Sequence, residues 1–421
     1  MKTSISRSEI SGRVTAPSSK SYTIRGLMCA ALSRGESQIL NPLTSDDTEA
    51  SLNVLGNLGI SVHKSDKAWR VTGGNFRPPD TELYCGESAA TLRFMTAICS
   101  LVPGTCHLTA GPSLSVRPVR PLVEALRKLG VNCSSRRGLP PVTVEGGTLR
   151  GGTTQIPGHV SSQFVSALLF ASPFAPDGVT IRLTTPLESK PYVLMTMDCM
   201  QWFGITVAFS EELDKFEILR HSYRPAIFNV EGDWSSASYL LALGALSGEV
   251  EVNNLSPESL QGDKRILNFL KDMGASVEFI RDSVKVRKSR LNAIRADLSD
   301  CIDLLPTMAA LAAVADGVTE LTGIERARLK ESDRVAAVKE GLQRMGIKVT
   351  DKNNQLSITG GRPTGALIDS YNDHRIAMAF SLLGLVVGET VIDGAECVSK
   401  TYPEFWDVMK SIGGEVKLDG K

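Results

Sequence analysis

Hydrophobic and polar positions along this chain fall into blocks that alternate between two rhythms. Apolar, small-residue runs with helical spacing, as at 25–32 and 238–246, are closed by a glycine and followed by short β-branched stretches, as at 37–40 and 249–252. A second helical block comes next, as at 265–273 and 334–345, then another glycine and a further strand such as 276–280. The two glycines recur in register. The first falls at Gly35, Gly104, Gly178, Gly248, Gly317 and Gly388, the second at Gly59, Gly130, Gly204, Gly274, Gly346 and Gly413, each roughly 70 residues apart. With 37 glycines some coincidence is expected, but not two anchors in register six times inside one helix–strand pattern. The pattern predicts six βαβαββ repeats, with the first glycine capping the first helix and the second ending the second.

At 421 residues the chain exceeds one ordinary core, so two or three domains are expected. A hydrophobic share of 42% and a charged share of 22% are ordinary for a globular protein. Lys plus Arg and Asp plus Glu both number 46, and this zero net charge disfavours a general nucleic-acid or membrane-surface role while leaving room for a local basic cleft. The eight cysteines form no C-x-x-C pair and have no zinc-finger spacing to histidine. They read as reduced thiols of a cytosolic protein, without disulfide framework or metal site. The N-terminus has no apolar leader, and stretches such as 308–314 and 377–387 are too short or interrupted to span a bilayer. A cytoplasmic location is expected.

The less common side chains collect at the predicted helix openings: Ser18-Ser19-Lys20-Ser21, Ser161-Ser162-Gln163, Asp233-Trp234-Ser235, the segment 300–303, Lys330-Glu331-Ser332-Asp333-Arg334 and Asn372-Asp373-His374-Arg375. Capping accounts for Asp233, Ser235, Pro118, Pro191 and Pro403. It does not account for Lys20, Arg25, Arg117, Lys330, Arg334, Arg375 and Lys400, because a cation in or near a first turn opposes the helix dipole. Free N–H groups at helix N-termini bind anions, Arg adds bidentate recognition and Lys a point charge. A cleft for small polyanions is the inference. No G-x-x-x-x-G-K-[ST] loop or helix-opening G-x-G-x-x-G points to a nucleotide.

Seven motifs in order, from Pro17 to about Tyr402, carry a resemblance. They are Pro17-Ser18-Ser19-Lys20-Ser21 with Arg25; Leu92-Arg93 after Gly86-Glu87-Ser88; Val160-Ser161-Ser162-Gln163-Phe164; Ser189-Lys190-Pro191-Tyr192; Val230-Glu231-Gly232-Asp233; Leu329-Lys330-Glu331-Ser332-Asp333-Arg334; and Tyr371-Asn372-Asp373-His374-Arg375. The chain resembles the enolpyruvyl transferase family, most closely its 5-enolpyruvylshikimate-3-phosphate synthase branch. That resemblance implies an α/β (α+β) fold, a two-domain inside-out α/β barrel with three repeats per domain. Domain I would comprise 1–17 plus 231–421 and domain II 18–230, with the site in a cleft between them that closes on ligand. It implies transfer of the enolpyruvyl group of phosphoenolpyruvate to the 5-hydroxyl of shikimate 3-phosphate, in the route to aromatic amino acids, with no metal or organic cofactor. The implied shikimate 3-phosphate set is Lys20, Ser21, Arg25, Ser161, Ser162, Gln163, Ser189, Tyr192, Asp303 and Lys330. The implied phosphoenolpyruvate set is Lys20, Ala89, Arg117, Gln163, Arg334, His374, Arg375 and Lys400. Asp303 would take the proton of the attacking hydroxyl, and Glu331 or Lys20 would protonate the methylene carbon. A monomer is expected, with small-molecule substrates as its partners and neither nucleic acid nor membrane among them.

Each candidate has a plainer reading: Asp303 as a surface helix residue, Glu331 as part of a solvated charged face, His374 as a cap or core group. The chain also departs from the family pattern, which usually reads Gly-Asn-[Ala/Ser]-Gly-Thr where this chain has Gly86-Glu87-Ser88-Ala89-Ala90. Ala90 lacks a hydroxyl, and the methyl of Ala89 should crowd glyphosate more than the shorter phosphoenolpyruvate, which predicts glyphosate tolerance. Arg326 replaces a polar residue of some relatives and stays outside the set. The sister enzymes acting on UDP-N-acetylglucosamine normally carry a Cys or Asp on a mobile loop that 112–117 lacks. A non-catalytic or RNA-end-processing protein on a related fold is disfavoured by charge balance, by only 6% aromatic residues and by retention of Asp303 and Glu331.

Overall fold

The computed structural model describes residues 1–419. The chain divides into two compact units, Met1–Pro17 with the chain from Glu231 onward, and Ser18–Val230. Each unit carries three four-stranded sheets built to one plan. In one of them Leu83–Tyr84 runs parallel to Thr105–Thr109, across the helix Ala89–Ile98. The helix Arg120–Lys128 follows, and the hairpin strands Asn132–Arg136 and Leu139–Glu145 add antiparallel, the later strand innermost. This is βαβαββ, with the parallel pair joined by a helical crossover as its geometry demands.

Distant segments complete three of the sheets. Lys2–Ile5 lies between Thr390–Asp393 and Val416–Asp419, and Ile10–Thr15 pairs parallel with Gly248–Asn253. Ile227–Asn229 pairs parallel with Gly35–Leu40. The N-terminal residues therefore belong with the C-terminal half because two of its sheets are incomplete without them.

Within each unit the first helices lie inside and the sheets outside, the inside-out α/β arrangement. Trp234–Ser247 is buried along its whole length and touches Leu305–Ala312 and His374–Val387. Its Ala, Ser, Gly and Leu residues leave no polar face, so water exclusion on every side is its stable state. Lys20–Leu32, Ala89–Ile98 and Ser162–Ala171 play the same part in the other unit. Strands such as Ala68–Gly73 alternate buried and exposed positions, one face packed and one wet. All eight cysteines are buried, free thiols, and no described helix is long and apolar enough to cross a membrane.

The second glycine of every repeat has positive φ, between +82° and +100°, directly after the C-cap residue. The hydrogen bonds are those of a Schellman motif each time. Gly346 N–H donates to the Gln343 carbonyl and Ile347 N–H to that of Leu342, and the same pair recurs through Gly414 N–H to Met409. The first glycine behaves otherwise. Only Gly248 and Gly388 are themselves C-caps; elsewhere the helix ends two or more residues earlier, and the glycine opens the strand (Gly35) or directly precedes it (Gly104, Gly178, Gly317). At Gly248 the backbone is extended, and glycine is required because a Cβ would overlap the Ile10 carbonyl of the adjoining parallel strand.

Candidate active site

In the unit Ser18–Val230, Lys20 is the first residue of its helix, behind the N-cap Ser19, and its Nζ lies 2.8 Å from Asp47 Oδ2. Arg25, one turn on and 2% exposed, donates to Thr196 Oγ1 (2.8 Å) and to the carbonyls of Ser21 (3.0 Å) and Tyr192 (3.1 Å). Its plane lies over Phe94 and Tyr192. A buried guanidinium with only neutral acceptors is poorly compensated, and burial pulls its pKa below the usual arginine value. Such a group favours an incoming anion.

Ser161 caps the helix Ser162–Ala171, accepting from Gln163 N–H, and Ser162 is buried behind it. Arg93 ties this corner together, donating to Ser161 Oγ (3.1 Å) and Gln163 Oε1 (2.7 Å) over the ring of Phe164. It stands in the Leu92-Arg93 motif but outside the predicted set; a cation in an otherwise apolar helix was the signal. Ser189 is buried and left-handed (φ +54°), a strained setting for a residue with a side chain, and its hydroxyl does not cap the helix Lys190–Trp202. Tyr192 sits in the first turn of that helix. Ala89 opens the helix Ala89–Ile98 and is 8% exposed.

In the other unit a carboxylate is set among cations. Asp303 Oδ1 lies 2.7 Å from Arg334 Nη1 and 3.2 Å from Lys330 Nζ, and its Oδ2 lies 3.4 Å from Arg375 Nη2. Arg334, buried, also meets Glu331 Oε2 (2.6 Å) and Asp373 Oδ2 (2.8 Å). Burial alone would weaken its hold on a proton, but three carboxylates more than offset that and raise its pKa. Asp303 is thus a buried charge partner, and Glu331 is no solvated face. Lys330 is pushed down to about 8, first by burial and further by Arg334 and Arg326, against the pull of Asp303 and Glu331. Lys400 Nζ donates to the Asn372 carbonyl (2.8 Å), which the left-handed pair Tyr371 and Asn372 turns toward it. His374 opens the helix His374–Val387 and is 1% exposed, with Nδ1 3.9 Å from Asp373 Oδ1.

Asp373, which lies in the Tyr371–Arg375 motif but outside the predicted sets, and Asp263, which no motif includes, complete this unit's cluster. Asp373 caps the helix through Arg375 N–H and holds Arg334 and Ser332. Asp263, fully enclosed, accepts from the Ser235 hydroxyl and is pushed up to about 7, by burial first and then by the charge of Asp303. Arg326 donates to the Ser299 carbonyl (2.6 Å).

Several helix openings differ from expectation. Lys20, Arg334 and Arg375 stand in first turns, but Arg117 follows the C-cap Val116 of the short helix Pro112–Ser115, and Lys330 and Lys400 end 3-10 segments. Pro118 and Pro403 lie outside the helices that begin at Arg120 and Phe405, and Ser235 spends its hydroxyl on Asp263 rather than on capping. Arg117, Lys330 and Lys400 thus stand at the C-terminal ends of short helical segments, where a positive charge is favoured rather than opposed by the backbone dipoles.

The model of the EPSP synthase (3-phosphoshikimate 1-carboxyvinyltransferase) family matches residues 5–409. A 3-phosphoshikimate 1-carboxyvinyltransferase from Dehalococcoides mccartyi is 48% identical over 421 residues, covering 100% of both chains. One from Methanothermobacter thermautotrophicus is 44% identical over 415 residues, covering 97% of each. Among solved structures, an EPSP synthase from Acinetobacter baumannii superposes with a TM-score of 0.84 at 27% identity, over 99% of this chain and 100% of that one.

Proposed function

Because this chain belongs to the EPSP synthase family, we propose that it transfers the enolpyruvyl group of phosphoenolpyruvate to the 5-hydroxyl of shikimate 3-phosphate, releasing phosphate. The observation that carries the reading is Asp303, a buried carboxylate that meets Arg334, Lys330 and Arg375 at once. A base for the hydroxyl proton and cations for phosphate and carboxylate groups are what this reaction needs side by side.

In this reading the 5-hydroxyl oxygen attacks C2 while Asp303 takes its proton. Glu331 or Lys20 delivers a proton to C3, giving a tetrahedral intermediate. The C2–O bond to phosphate then breaks, Lys and Arg side chains stabilise the leaving phosphate, and C3 returns its proton. Each positioned acid or base contributes roughly 10²–10⁴-fold, and fixed charge in a water-poor site supplies the rest. Arg25, Ser21, Ser161, Ser162, Gln163, Ser189, Tyr192 and Lys330 are assigned to shikimate 3-phosphate. Arg117, Arg334, His374, Arg375 and Lys400 are assigned to phosphoenolpyruvate, with Lys20 and Gln163 serving both. The zero net charge disfavours a nucleic-acid partner.

Phosphate release from phosphoenolpyruvate tests the proposal, with shikimate 3-phosphate in one assay and UDP-N-acetylglucosamine in another. Release with the first alone is expected; release with the second, or with neither, overturns it. Ala89 extends the reading to glyphosate. Its helical backbone accepts the methyl without strain, so the methyl acts only on what lies beside it. Weak glyphosate inhibition is expected, with Ala89→Gly increasing sensitivity roughly 5- to 150-fold, on the order of a clash worth 1–3 kcal/mol. Micromolar inhibition of the unaltered enzyme, competitive with phosphoenolpyruvate, contradicts this.

A further inference from the structure

The turn that departs from the family pattern at Glu87 makes contacts that neither the resemblance nor the reaction accounts for. The short helix Pro112–Ser115 has Gly111 at its N-cap, which offers no side chain, and Pro112, which has no N–H. Its remaining early amides would be left without acceptors. Glu87 supplies them from a separate segment of chain. Its Oε2 accepts from Ser113 Oγ (2.6 Å) and Leu114 N–H (2.9 Å), and its Oε1 accepts from Ser113 N–H (3.3 Å). The backbone adds a second tie, Gly111 N–H to the Gly86 carbonyl at 2.8 Å. A Cβ on Gly111 would land on the Glu87 carboxylate, so the glycine leaves the space this side chain fills. Glu87 thus joins two pieces of the unit: the turn leading into the helix with Ala89 and Arg93, and the segment ending at the buried Arg117, whose N–H closes on the Leu114 carbonyl.

We infer that Glu87 is a positioning residue, a carboxylate clamp that caps Pro112–Ser115 from outside and so holds Arg117 in register with the Ala89–Ile98 helix. The neutral amide usual at this position has one acceptor oxygen instead of two, and its NH2 would face a donor. Only the charged, two-oxygen side chain takes all three hydrogen bonds, and hydrogen bonds to an ionised group are the stronger kind. The functional part of the inference rests on the assignment of Arg117 to phosphoenolpyruvate.

The test combines exchange and kinetics in the full-length enzyme. Glu87→Gln keeps size and removes charge; Ser113→Ala removes one donor and touches no substrate in the proposed reading. Hydrogen exchange of a peptide covering 109–117, without ligand, is expected to quicken in both variants while that of distant helices stays unchanged. For Glu87→Gln, KM for phosphoenolpyruvate is expected to rise roughly tenfold while kcat and KM for shikimate 3-phosphate stay within about threefold, the mark of lost ground-state binding. Ser113→Ala should give a smaller rise, and the double variant less than the product of the two, because the pair shares one interaction. Unchanged exchange at 109–117 overturns the clamp, whether or not the enzyme turns these substrates over. Faster exchange with unchanged KM for phosphoenolpyruvate, in an enzyme that turns it over, overturns the positioning of Arg117. A uniform loss of kcat and of both affinities together with the melting temperature reduces Glu87 to a stability residue and also overturns it. Failure of the unaltered enzyme to use shikimate 3-phosphate would instead remove the reaction while the exchange result stood.

Discussion

Asp303 meets three cations, and each of its roles follows from that neighbourhood. In Asp303→Asn the amide can neither take the hydroxyl proton nor balance Arg334, Lys330 and Arg375. A fall in kcat of roughly 10²–10⁴-fold is expected in the phosphate-release assay, with the melting temperature also lowered because buried cations lose their counter-charge. Activity within threefold of the unaltered enzyme would remove Asp303 as the base. Lys330 gives a pH signature. Its folded pKa of about 8 lies below the ordinary 10.5, so its burial cost is fully present below pH 8. Between those values the folded protein has lost a proton that the unfolded chain keeps, so this residue's contribution to stability rises with pH. Binding of an anion works the other way, because it restores the proton. Affinity for shikimate 3-phosphate is therefore expected to fall above pH 8, by up to about tenfold per pH unit, with proton uptake seen by calorimetry in two buffers. Lys330→Arg should flatten that dependence, and an equally steep profile in the variant would assign it elsewhere.

The repeated helix ends set the geometry of each element. The second helix of every repeat stops in a left-handed glycine, and the chain leaves each of them through the same hydrogen-bonded turn. Gly346 isolates the conformational part, since a Cβ there would meet nothing nearer than Thr364 Oγ1 at 4.0 Å. Gly346→Ala is expected to cost about 1–2 kcal/mol, read as a lower denaturant midpoint with an unchanged slope. A loss below a few tenths of a kcal/mol would mean that the turn relaxes to another conformation. The first helices follow another logic. Buried on all sides, they present chemistry toward their N-terminal ends, where Ser88, Ser161, Asp233 and Asp373 cap, where Lys20, Gln163, His374 and Arg375 stand beside them, and where Arg25 and Arg93 follow within two turns.

At the scale of the molecule, the chain closes its sheets by exchanging distant strands. Lys2–Ile5 is an inner strand of a sheet otherwise made by residues beyond 366, and Ile5, Ile10 and Val14 belong to the same core as Trp234. Deletion of residues 1–17 should therefore unfold the unit that begins again at Glu231 while the unit Ser18–Val230, whose sheets are complete, keeps its structure. Limited proteolysis is expected to leave a resistant fragment close to residues 18–230. A truncated chain melting within a few degrees of the full-length protein would refute this account of the N-terminus.

Local chemistry determined what was legible without coordinates. Six repeats, their paired glycines, the all-apolar helices and most of the side chains assigned to substrates can be read along the chain, because helix burial and Schellman ends leave marks within a few residues. The boundaries of the openings around Arg117, Lys330 and Lys400 were misplaced, because 3-10 and left-handed segments leave no periodic mark. Partnership was not legible at all. That Arg334 is shared among Asp303, Glu331 and Asp373, that Arg93 holds Ser161 and Gln163, and that Glu87 caps a helix 25 residues on are decided by chain crossings far apart in sequence. A charge in a sequence specifies the kind of partner it needs; only the fold decides which partner comes within 3 Å and is sheltered enough from water for the pairing to matter.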